Sequence, residues 1–126
     1  MSPSAKGYES SVWCDADECP GLRYRLARMS FGRRIELGRR IREIGRKMEY
    51  LEASSDAREK LEATVLAAEI DRAYLEWGLL EIEGLEIDGV AATPASLIES
   101  GPAELAAEIL ARIKAECGLT EDERKN

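Results

Sequence analysis

Three cysteines, Cys14, Cys19 and Cys117, and no histidine at all make up the soft-metal and thiol chemistry open to this 126-residue chain. A structural zinc ion takes four Cys or His ligands, and a catalytic one takes three protein ligands. Cys14 and Cys19 stand in CDADEC, a spacing wider than the common two-residue knuckle. They read as ordinary thiols, and no metal or other cofactor is expected. A Cys14–Cys19 disulfide is sterically open, but a reducing compartment disfavours it. Catalysis is equally hard to assemble. The commonest general base is missing, and no GxSxG, HExxH, P-loop or GxGxxG pattern replaces it, so no catalytic residue and no enzyme activity are expected.

Two charged clusters remain. Glu81, Glu83, Glu86 and Asp88 resemble a carboxylate set for a divalent ion, but they alternate with apolar residues and read as the solvent face of short strands. The basic cluster is larger. Ten of the eighteen Lys and Arg residues fall between positions 21 and 50 against three acids, so that window carries +7 in a chain of net charge −7. A nucleic-acid site, a docking face for an acidic partner and a solvated helix face all predict such a cluster. Glu36–Arg40, Arg39–Glu43 and Glu43–Lys47 are each four apart, so partial neutralisation within one helix is expected. With a chain pI near 4.8, nucleic acid is not the expected partner. The expected role of Arg39, Arg42 and Arg46 is a basic docking face.

The elements that must position these residues follow from periodicity. Residues 1–21 carry Pro3, Gly7 and Pro20-Gly21 and read as a flexible arm with at most a short strand. LRYRLARM, residues 22–29, alternates as a strand. After Ser30, a natural N-cap, Leu37, Ile41, Ile44, Met48 and Leu51 mark the apolar stripe of a helix. Gly38 and Gly45 lie seven apart on its edge; either another backbone approaches closely there, or the glycines are simply tolerated with no contact role. ASSDA at 53–57 breaks the chain into a second helix reaching Trp77, with Ser55 or Asp56 as cap. That helix is apolar on two sides: Ala57, Leu61, Val65, Ala68 and Leu75 on one, and Ala63, Leu66, Ala67, Ile70, Tyr74 and Trp77 on the other. Such a helix must be covered twice. The first helix supplies one cover, and the rest of the chain or a second subunit supplies the other. Leu66, Ile70, Tyr74 and Trp77 are therefore the expected partner or oligomer contacts.

Gly78 ends the helix, and LLEIEGLEIDGVAAT, residues 79–93, reads as a small hairpin turning at Asp88-Gly89. Thr93-Pro94 starts a short helix, and Gly101-Pro102 restarts the chain into a longer one. On it Leu105, Ile109, Leu110, Ile113 and Cys117 share a face, closed by Gly118. Residues 120–126 are expected to fray as an acidic last turn. The sum is an α+β, predominantly α-helical chain: an N-terminal strand, a long antiparallel helical hairpin, a small β-hairpin and C-terminal helices, one domain over 22–119. No apolar run approaches the roughly 20 residues of a membrane span, and MSPSAKGYESSVW lacks signal-peptide features, so a cytoplasmic protein without membrane contact is expected.

The order MSFGRRIEL, long helical hairpin, WGLLEIEGLEIDG, then TPASLIESGPAELAAEILARIKAECGLTEDERKN resembles the phage tail assembly chaperones of long-tailed bacteriophages and prophages, over roughly residues 22–126. The resemblance implies a non-enzymatic, acidic, mostly helical protein of the bacterial cytoplasm. Such a protein binds and solubilises the helical tape measure protein, helps recruit tail tube subunits, tends to form a homo-oligomer and is absent from the finished tail. CDADEC is not explained by it. Two other classes stay open: a basic-helix nucleic-acid-binding regulator and a structural phage component retained in the particle.

Overall fold

LRYRLARM forms the middle strand of a sheet rather than its start. In the computed structural model, which describes residues 5–118, β1 (Ser11–Asp15) pairs antiparallel with β2 (Arg23–Ala27), and β2 pairs antiparallel with β3 (Leu79–Glu83), in the order β1-β2-β3. The expected arm thus contributes a strand. SVWCD is too short to stand out by periodicity, but Val12 and Cys14 pack on the core while the Arg23 guanidinium lies 4.2 Å from the Trp13 ring centroid. The expected acidic turn at 120–126 lies outside the described residues.

The hairpin expected over 79–93 is divided. β3 departs to pair with β2, where Arg23 and Arg25 hold Glu83 and Glu81 at 2.8 Å each across the strands. Only β4 (Glu86–Ile87) and β5 (Val90–Ala91) make the hairpin, and its turn residues Asp88 and Gly89 both have positive φ, 53° and 79°. Gly84 makes the division possible. Its φ is +88°, and a Cβ there would lie 2.5 Å from the Gly21 carbonyl oxygen, so only glycine lets the two backbones meet.

Local signals place the helices. Ser30 caps α1 (Phe31–Glu52) by accepting from the Arg33 amide, and Asp56 caps α2 (Ala57–Gly78) by accepting from the Arg58 amide. Thr93 and Ser96 form a reciprocal capping box on α3 (Pro94–Ser100), with Pro94 in its first turn. α4 (Ala103–Glu116) follows, and Gly118 beyond it has φ +72°.

The core lies between the inner face of the sheet, α4, α3 and the base of α2. Tyr24, Leu97, Leu105, Ile109 and Ile113 are almost fully buried, each aliphatic side chain contributing about 1.5–3 kcal/mol by leaving water. α1 packs chiefly along α2, and only Leu37 on it is buried. The outer half of the α1–α2 hairpin therefore extends beyond the core. The fold is α+β and mainly helical, and among the described residues no helix is long and apolar enough to cross a membrane.

Candidate protein-docking surface

The two apolar sides of α2 have unequal fates. Tyr74 is buried and its ring faces the Lys114 ammonium at 5.6 Å, while Ile70 and Trp77 are half-buried against the core. Trp77 has its indole N–H enclosed without an acceptor among the described residues and Arg33 5.9 Å from its ring. Leu66 is half-buried near the outer end of the hairpin, beside Leu51 and Tyr50. Of the expected partner or oligomer contacts, Tyr74 is thus covered within the chain, and Leu66, Ile70 and Trp77 are partly covered. Near its base α2 is covered on the other side too, so that Leu75 is buried. Further out none of the described residues covers that side. Leu61 is 69% and Val65 57% exposed, with Ala57, Thr64 and Ala68 exposed around them.

The basic residues of α1 also depart from expectation. Arg40 pairs with Glu76 of α2 rather than with Glu36, and neither Arg39–Glu43 nor Glu43–Lys47 forms. Exposed pairs four residues apart yield only a few tenths of a kcal/mol, which side-chain entropy readily offsets. Arg39, Arg42 and Arg46 are exposed, and with Arg34 they form no ion pair among the described residues.

Beside these arginines the packing of α1 is incomplete. An opening of about 260 Å³ is lined by Met29, Leu37, Ile41, Tyr74 and Cys117, with Arg34, Gly38 and Arg42 along it. A Cβ at Gly38 or Gly45 would meet nothing within 4 Å, so no close backbone approach inside the described chain accounts for either glycine. Cys117 is enclosed; burial pushes its thiol up to about 11, with Arg34 acting in the opposite direction. The cavity was not legible in the sequence, whose stripe analysis counts apolar residues but not the gaps between them.

CDADEC has a structural explanation. Glu108 accepts from the amides of Asp17 and Glu18 and from the Tyr24 hydroxyl. Arg112 donates to the Asp15 carbonyl and pairs with the Asp17 carboxylate, both at 2.9 Å. The acidic turn is thus clamped to α4. Cys14 and Cys19 at its ends are half-buried free thiols.

The surface available for recognition is therefore an apolar opening bordered by arginines on α1 that form no ion pair among the described residues, and an exposed apolar row on the outer half of α2. The chain matches no protein-family model, no curated protein and no solved structure.

Proposed function

We propose that the protein is a non-enzymatic, chaperone-like binder of a helical partner, acting as phage tail assembly chaperones do on the tape measure protein in the bacterial cytoplasm, with tail tube subunits as further partners. The observation that carries this reading is the opening beside α1. Its aliphatic floor suits an apolar anchor, and Arg34 and Arg42 beside it suit carboxylates flanking that anchor on an amphipathic helix. Apolar anchors supply most of the affinity, while Arg39 and Arg46 add orientation and association rate. The acidic remainder of the chain keeps such a complex soluble. Residence in the bacterial cytoplasm belongs to the same proposal.

Co-expression with the product of the gene directly downstream tests it. A soluble complex that is lost on Gly38→Leu, which adds a bulky side chain at the edge of the opening where a Cβ itself meets nothing within 4 Å, supports the reading. An equally insoluble product with and without this chain refutes it.

The exposed arginines of α1, without ion pairs among the described residues, favour one second reading, a regulator that contacts nucleic-acid phosphates through Arg39, Arg42 and Arg46. The net charge of −7 opposes it.

A further inference from the structure

The outer row of α2 is chemically distinct from the opening beside α1. Leu61 and Val65 are the exposed bulky apolar side chains there, and Ala57, Thr64 and Ala68 continue the same side with short side chains. A helix side bearing small residues around two aliphatic knobs fits another helix at close range. At its edges lie Arg58 and Glu69, both exposed and both without an ion pair among the described residues.

We propose that this row is the contact between two copies of the chain, packed antiparallel along α2, with Arg58 of each copy facing Glu69 of the other. The charge pattern selects the occupant. In a two-fold contact the same surface must complement itself, so residue i meets j and j meets i. An antiparallel pairing centred between residues 63 and 64 brings position 58 level with position 69, in both directions. Positions that lie on the same edge of the two helices face each other in such a pairing. On a wheel of 100° per residue Arg58 and Glu69 sit about 20° apart on one edge. The same register sets Leu61 against the gap between Val65 and Ala68 of the second copy. A parallel pairing would put the Arg58 and Glu69 edge of one copy on the opposite side of the seam from that edge of the other, leaving both charges unpaired. The contact leaves the opening beside α1 free, so it stands whether or not a helical partner binds there.

Sedimentation equilibrium of the full chain over a concentration series, without any added partner, reads this directly. The wild-type chain dimerises, and Leu61→Glu gives a monomer. Arg58→Glu weakens association at least tenfold, and Arg58→Glu combined with Glu69→Arg restores it. Leu61, Arg58 and Glu69 are exposed, so helicity by circular dichroism stays unchanged in every variant. A wild-type chain that is monomeric at several hundred micromolar overturns the proposal. So does a dimer that survives Leu61→Glu, or one in which the double variant is no tighter than Arg58→Glu. Failure of the co-expression test leaves these outcomes unaffected, and the reverse also holds.

Discussion

The Tyr24 hydroxyl donates a 2.6 Å hydrogen bond to the carboxylate of Glu108, tying the central strand of the sheet to α4 across 84 residues of sequence. The same carboxylate holds the backbone of the acidic turn between β1 and β2. Tyr24→Phe removes a bond to a charged group and should cost about 1.5–3 kcal/mol. Glu108→Ala also frees the turn amides and should cost more. Urea denaturation of the two variants checks the order.

Burial first, and then the bond to Glu108, raises the Tyr24 pKa well above its ordinary value near 10. The folded state therefore favours the protonated phenol. That contribution is fully present below about pH 10 and declines as pH rises toward the folded-state value. Stability measured from pH 9 upward should fall less steeply in Tyr24→Phe than in the wild-type chain.

Gly78 and Gly38 should respond to alanine in opposite directions. A Cβ at Gly78 would lie 2.8 Å from three atoms of the Ile113 side chain, which is itself buried, so Gly78→Ala should destabilise by about 1–3 kcal/mol through overpacking. Gly38→Ala meets nothing and should stabilise by about 0.5–1 kcal/mol through helix propensity. Paired thermal melts read both signs.

Ile70→Asp and Trp77→Asp should lower the melting temperature strongly, because both side chains pack against the core. Each buries a charge without a partner in place of apolar surface. Leu61→Asp should leave it nearly unchanged when measured at concentrations too low for association. Equal losses at all three positions would contradict the one-sided burial of the outer α2.

Cys117 should resist iodoacetamide at pH 8 far longer than Cys14 or Cys19. It is enclosed, and its thiol titrates near 11, so little thiolate is present. Because that pKa is raised, the associated stability is intact below about pH 9 and is lost as pH climbs through 11. Peptide mapping after timed alkylation gives the order of reaction.

The sequence by itself determined where the chain starts, stops and turns. Ser30 and Thr93-Pro94 cap their helices, the second helix is capped within the Ser55-Asp56 pair, of which the structure selects Asp56, and Asp88-Gly89 makes its tight turn, because those choices depend on bonds between residues two to four apart. The two apolar sides of α2 were legible for the same reason. Only the tertiary structure decided which side is covered, and over what length. Periodicity records how much of a helix is apolar but not how far α3, α4 and the sheet reach along it, so Leu75 is buried while Leu61 and Val65 are not. The pairing of β3 with β2 rather than β4 was decided in the same way, through the contact of Gly84 with the Gly21 backbone. Arg40 turns to Glu76 because exposed ion pairs are individually weak and the geometry of the neighbouring helix selects among them.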